Sequence, residues 1–198
     1  DHPGDPHSNV FIGRCWAHLN NTPFRKYKHY NHEGGIATPL IAHWPAGIKS
    51  RGDTWIESPT HLIDIMATCV DLAQATYPRT FKNHGITPMQ GQSLRPLLTG
   101  VGKFPDRALF WEHEGNAAIR VGDYNLVREG LAGDWELFDL KADRTEQSDL
   151  SSQRPKDASE LEARWSRCAH DAGVLPKPNP NNHPKPGTKN PKSRKSNK

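Results

Sequence analysis

The chain has 198 residues, of which 34% are hydrophobic and 24% charged. Its mean hydropathy of −0.82 is low for a self-sufficient globule, and no run approaches the roughly 18 apolar residues of a membrane span. Residues 176–198 hold seven of the 26 basic residues and no acid, which leaves the first 175 with 19 bases against 22 acids and a charge of −3. A nucleic-acid reading of the basic balance therefore rests on the tail alone, and no nucleic-acid partner is expected for the body.

Residues 1–23 read as a loop. Pro3, Gly4, Pro6, Gly13 and Pro23 punctuate it, and Asn20-Asn21-Thr22-Pro23 is a turn signal. The opening DHPGDPHSNV is polar and turn-rich, with no leader-like segment, which fits a chain that begins mid-protein. From Phe24 the sequence runs through a cluster of cations and histidines (Lys28, His29, His32) and Glu33 to Gly34-Gly35. At that pair the backbone can take positive φ or approach a neighbour closely. Thr38 to Trp44 then has the short apolar run of a central strand, closed by Pro45 and Gly47. His43, inside that run, is expected to be a satisfied core histidine.

Ser58-Pro59 marks a helix start, with Ser as N-cap and Pro at the first helical position. Leu62, Ile65, Met66, Cys69, Val70 and Ala73 follow at three and four spacing, which predicts an amphipathic helix over 59–75. A long loop, 76–92, precedes one helical turn at Ser93–Leu98. Arg95 stands where the second Gly of a G-x-S-x-G nucleophile elbow is needed, so Ser93 is not read as a nucleophile. From Ala108 the period changes to two. ALFWE, AIRV, YNLVR and WELFDL predict four short antiparallel strands, with Gly122-Asp123 as a two-residue hairpin turn. Glu112 and Glu114, at i and i+2 on one strand, share a face and lie close together, and no other glycosidase signal supports reading them as a catalytic pair. Pro155 opens a last helix with Ala158, Leu161, Trp165, Cys168 and Ala172 on one face.

Residues 176–198 lack the apolar side chains needed to offset chain entropy, so a flexible extension is expected. Cys15, Cys69 and Cys168 form no C-x-x-C and supply no zinc cluster; Cys69 and Cys168 are expected to pack in the core.

The stretch Lys28, Glu33-Gly34-Gly35, Pro39-Leu40-Ile41, Trp44-Pro45 resembles the segment of the sulfatases, particularly bacterial arylsulfatases, that carries the sulfate-binding lysine. The resemblance continues through SPTHLIDIMATCVDLA, GQSLRPLLTG, LFWEHEGNAAIRVGDYNLV and WELFDLKADRTEQSDL, and covers most of residues 9–175. It implies an α/β class: the C-terminal part of an alkaline-phosphatase-like sulfatase fold, with a small four-stranded antiparallel sheet plus helix as a subdomain. The implied division is 1–105 as an incomplete part of the catalytic domain, 106–175 as the subdomain and 176–198 as the basic tail.

The implied chemistry is hydrolysis of a sulfate ester to an alcohol and sulfate. The family uses a formylglycine made within C/S-x-P-S/T-R and a calcium ion held by Asp and Asn side chains. Neither the maturation motif nor the ligand set is found in this chain; Asp1-His2 only superficially resembles the Asp-His pair, and no metal ligand is assigned. Calcium and formylglycine are expected in the full-length parent, and the chain alone is expected to be inactive. Lys28 is assigned as the catalytic, sulfate-contacting lysine, and His32 and His113 as candidate substrate-binding residues. His29 is a weaker candidate, and Glu33 is expected to tie down the loop.

The expected partners are a sulfate-ester substrate and the missing N-terminal part of the same protein; bacterial family members imply a periplasmic or secreted location. The alternatives are a phosphodiesterase or phosphonate hydrolase of the same superfamily, and a non-catalytic module using the tail on an anionic partner. Related sequences tend to carry a basic residue where Ala117 stands and Lys where Asn125 stands, which puts substrate contacts near the small sheet in question.

Overall fold

The computed structural model describes residues 5–6, 12–48, 55–102 and 104–175. Asp1, Phe11 and the tail lie outside the described residues. The elements in chain order are α1 (Gly13–Leu19), α2 (Glu33–Ile36), α3 (Ile63–Leu72), β1 (Thr80–Phe81), β2 (His84–Gly85), α4 (Arg95–Thr99), β3 (Ala108–His113), β4 (Asn116–Val121), β5 (Tyr124–Arg128), β6 (Trp135–Asp139) and α5 (Pro155–Asp171). No helix among the described residues is long and apolar enough to cross a membrane.

The centre of the fold is the antiparallel sheet β3-β4-β5-β6, in sequential order. Its strands fall where the period-two pattern places them. Val121 pairs with Tyr124 across Gly122-Asp123, and His113 pairs with Asn116 across Glu114-Gly115. Glu114 and Gly115 both have positive φ, 53° and 92°, as a tight two-residue turn requires.

Alternation along the strands gives the sheet two buried faces. Ala117, Ile119, Leu126 and Leu137 face α5, which contributes Trp165 and Ala169. Trp165 donates its indole N–H to the Trp111 carbonyl at 3.0 Å and meets Trp135 edge-on at 5.5 Å. Each large apolar side chain buried here contributes roughly 1.5–3 kcal/mol. Pro155 sits in the first turn of α5, where its missing N–H costs nothing. Ala118, Val127, Phe138 and Leu140 form the second face, joined by Trp111.

Several expectations are corrected. Residues 13–19 form a helix rather than loop: Arg14, Ala17 and Leu19 favour helix, and Asn20 follows as its C-cap. Residues 38–44 form no strand. They run exposed, with Leu40 54% and Ile41 91% accessible, because a strand needs a hydrogen-bonding neighbour and the described residues provide none. His43 is accordingly exposed rather than a core histidine.

The predicted helix over 59–75 is shorter, beginning at Ile63, with no side-chain cap from Ser58. Its buried side is also the opposite of the apolar stripe: Asp64, Ala67 and Thr68 are buried, whereas Leu62, Ile65, Met66 and Cys69 are exposed. Polar bonds explain the choice. Asp64 accepts the Gln92 N–H at 2.9 Å and the His61 N–H at 2.8 Å and pairs with Arg107, while Thr68 Oγ1 accepts the Leu94 N–H at 2.8 Å. Burial alone would push the Asp64 carboxyl up, but Arg107 and the two N–H donors outweigh it and hold the pKa below the usual range. Cys168 is half-buried, and burial raises its thiol pKa. The loop 76–92 contains the small β1-β2 hairpin.

Candidate functional site around Lys28

The segment from Arg25 to Ile36 lies across the second face of the sheet, opposite α5. Its attachment is mainly polar. Arg25 reaches Glu136 at 3.4 Å, Lys26 pairs with Glu129 at 2.8 Å, and His32 Nε2 donates to Glu136 at 3.2 Å. Glu33, almost fully buried, pairs with Arg144 at 3.2 Å and Arg120 at 3.8 Å. Its backbone N–H donates to the Glu146 carboxylate at 2.9 Å, and Asn125 Nδ2 donates to the other Glu146 oxygen at 2.9 Å. Glu33 therefore ties down the loop, as expected, through Arg144 and Arg120.

Gly34 and Gly35 act by close approach rather than by positive φ. They lie in α2, where a Cβ at Gly34 would overlap the Arg25 and Lys26 carbonyls and one at Gly35 the Tyr30 carbonyl. Close approach folds the segment back on itself. The Gly34 N–H donates to Arg25 O at 3.0 Å, and the Tyr30 N–H to Tyr27 O at 3.1 Å. Tyr27–Tyr30 is thus a turn whose second and third positions are Lys28 and His29. His29 takes φ 90°, the positive value that the third position of a type II turn demands and that residues other than glycine seldom adopt. Asn116 secures the turn by donating Nδ2 to the His29 carbonyl at 2.8 Å and to the His113 carbonyl at 3.0 Å.

Lys28 therefore projects from a turn fixed on both sides. It is exposed, and among the described residues it forms no ion pair or hydrogen bond. His29 and His113, also exposed, stack with centroids 5.2 Å apart. His29 Nδ1 lies 3.0 Å from Glu114 Oε2 and 3.2 Å from His113 Nε2. His113 is thus beside the lysine turn, 84 residues away in sequence from His29.

His32 is not at the surface. It is fully buried against Phe138, and burial lowers its pKa, with Glu136 offsetting only part of that and Arg25 adding to it. A neutral His32 donating Nε2–H to Glu136 orients the loop from below. In this chain it is a positioning residue rather than one that faces a ligand. Ala117 and Asn125 are likewise fully buried, in the core and in the loop–sheet joint respectively.

Sequence reading missed Asn116, Arg120, Glu136, Arg144 and Glu146. Their partners lie 87 to 113 residues away for the bonds to His32 and Glu33. The available signal was indirect: Arg144 and Glu146 fall within the family-like stretch WELFDLKADRTEQSDL.

A family model, N-sulphoglucosamine sulphohydrolase, C-terminal, matches residues 24–167, the span that contains the lysine loop, the sheet and most of α5. The chain belongs to the sulfatase family, as its C-terminal portion. An uncharacterized sulfatase of Schizosaccharomyces pombe is 29% identical over 88% of this chain and 32% of its own length. Human arylsulfatase A is 32% identical over 47% of the chain and 18% of its own length. The chain thus spans a third or less of the length of these sulfatase relatives. Among solved structures, that of Ps i-CgsB matches with a TM-score of 0.62 at 21% identity, over 77% of this chain and 33% of that one. A Bacteroides thetaiotaomicron structure (BT33336S-sulf) matches with a TM-score of 0.56, also at 21% identity, over 74% of the chain and 32% of its own. These structures support the fold, an α/β sulfatase portion carrying a four-stranded antiparallel sheet.

The calcium ion that the family implies does not fit the described residues. Calcium takes six to eight oxygen ligands. The metal-competent cluster among the described residues is His29, His113 and Glu114, two nitrogens and one carboxylate.

Proposed function

We propose that this chain is the part of an arylsulfatase-like sulfuric ester hydrolase that presents Lys28 to the sulfate group. The observation that carries the reading is the mounting of Lys28, exposed and, among the described residues, unpaired at the tip of a turn pinned by Asn116 and Gly35. The turn is anchored to the sheet through His32 and Glu33. An ammonium offers three donors and a full positive charge, suited to sulfuryl oxygens and to the charge that grows on a leaving oxygen. Residues 1–105 belong with the catalytic domain, 106–175 form the subdomain that holds the loop, and 176–198 are a basic extension.

Nucleophile and calcium would come from the remainder of the protein, and the 198-residue chain alone is inactive. The exposed apolar side chains of Leu62 and α3 (Ile65, Met66) and of 38–44 (Leu40, Ile41, Trp44) support this. They are placed to pack against the rest of a sulfatase α/β domain, of which the matched structure of Ps i-CgsB is covered only to 33%. Family resemblance further favours a periplasmic or secreted location.

The test is turnover of an aryl sulfate and, in parallel, an aryl phosphodiester by the reading frame that contains this chain. Lys28→Ala is expected to lower kcat/KM for the sulfate ester by roughly 10²–10³, the usual cost of removing one donor to developing charge. Preferential turnover of the phosphodiester would replace the sulfate reading with the phosphodiesterase one. Sulfate turnover undiminished by Lys28→Ala would refute the role of Lys28.

A further inference from the structure

We propose that His29 Nδ1, His113 Nε2 and the Glu114 carboxylate bind one zinc-class divalent cation beside the lysine turn. The sequence alone assigned no metal ligand, because these donors come from two segments more than 80 residues apart that meet only in the fold.

The first argument is spacing. All three donor atoms lie within 4.8 Å of one another, with separations of 3.0 Å and 3.2 Å around His29 Nδ1. Ligands about 2.0–2.1 Å from a tetrahedral ion stand roughly 3.3 Å apart, so an ion enters with small side-chain movements.

The second argument is the donor inventory. A neutral imidazole nitrogen carries either a proton or a lone pair. If His29 Nδ1 carries a proton for Glu114, it offers no lone pair to a proton on His113 Nε2. If it carries a lone pair for His113, that lone pair faces an ionised carboxylate. One neutral arrangement cannot give both contacts good hydrogen bonds, whereas a shared cation accepts a lone pair from each of the three groups.

The third argument is preorganisation. His29 is fixed by its positive φ of 90° and by Asn116 on its carbonyl. His113 is the last residue of β3, paired with Asn116, and Glu114 occupies the first position of the tight turn that follows. Two imidazoles and a carboxylate suit zinc better than calcium or magnesium, and exposure leaves the fourth position to water. The ion would sit one residue from Lys28, adding positive charge at the rim of the anion site.

The test is titration of the full 198-residue chain with zinc chloride against a chromophoric chelator, in a Cys15→Ser/Cys69→Ser background that removes the exposed thiols. One equivalent of zinc is expected at micromolar affinity or better, with His113→Gln and Glu114→Gln each weakening it at least tenfold. X-ray absorption at the zinc edge is expected to show only nitrogen and oxygen neighbours, with imidazole scattering. No stoichiometric uptake, uptake unchanged in both variants, or sulfur in the first coordination sphere would each overturn the proposal. If a variant unfolds, ring ¹⁵N shifts of the parent chain decide: zinc-induced shifts at His29 and His113 support the site, and shifts only at other histidines exclude it.

Discussion

Glu146→Gln tests the loop–sheet joint most directly. Glu146 is fully buried, and its two oxygens accept from the Glu33 N–H and from Asn125 Nδ2. Burial raises its pKa from 4.5 to about 7; the two hydrogen bonds oppose the rise and the neighbouring Glu33 carboxylate adds to it. The unfolded chain loses this proton near pH 4.5, whereas the folded chain keeps it until about pH 7. Between those values the folded state holds more protons, so raising the pH removes stability. At 1.36 kcal/mol per unit, the shift corresponds to a loss of about 3 kcal/mol, complete once the pH passes the folded pKa.

Glutamine imitates the protonated form and does not titrate. It can accept the Glu33 N–H and, with Asn125 turned over, donate to the Asn125 Oδ1 that now lacks a partner. The assay is urea unfolding followed by tryptophan fluorescence from pH 4.5 to 8. Subtracting the two profiles cancels the other titrating groups, including His32 and His61. The variant should gain about 3 kcal/mol on the parent across that range. Parallel profiles would refute a Glu146 that stays protonated to near neutrality.

Three further outcomes are expected. Lys28→Ala should leave the unfolding midpoint of this chain unchanged, since the side chain is exposed and has no partner among the described residues, so the activity loss predicted above would be chemical rather than structural. Gly35→Ala should detach the lysine turn, because the new methyl collides with the Tyr30 carbonyl; faster amide exchange at residues 27–36 with β3–β6 still protected is the check, at a cost of about 1–3 kcal/mol. Asp64→Ala leaves Arg107 without its buried partner and should cost about 3–5 kcal/mol by denaturant titration. Because the folded Asp64 pKa is depressed, its contribution is present above the unfolded value near 3.8 and is lost as the pH falls through the folded one, so parent and variant should converge in acid.

The sheet and α5 were legible because their signals are local. Period two fixes β3 to β6, a two-residue turn fixes a register, and Pro155 with the Ala158–Leu161–Trp165 stripe fixes the helix. The lysine turn was legible only as a motif. What holds it, Glu33 to Arg144 or His32 to Glu136, joins residues more than 100 positions apart, and no local pattern encodes such pairs. Residues 38–44 and α3 failed for a different reason. Their apolar patterns describe burial, but among the described residues Ile41 and Leu62 have nothing to be buried against, so β-propensity without a neighbouring strand left 38–44 exposed and outside any strand.

Asn125 shows how one position changes the joint. Its side-chain amide is buried in the loop–sheet joint, where Nδ2 donates to Glu146 Oε1 at 2.9 Å. A lysine ammonium at that point would neutralise the Glu146 carboxylate and keep it ionised. With asparagine, the carboxylate has only neutral donors in direct contact and its pKa climbs to about 7. Asn125→Lys should therefore abolish the stability loss between pH 4.5 and 7, while its extra bulk costs about 1–3 kcal/mol at every pH. A pH slope that persists in Asn125→Lys but vanishes in Glu146→Gln would mean that the ammonium leaves the joint for solvent. The neighbourhood of residue 125 would then not control the titration. Loss of the slope in both variants would tie the pH response to this single buried contact beneath the lysine loop.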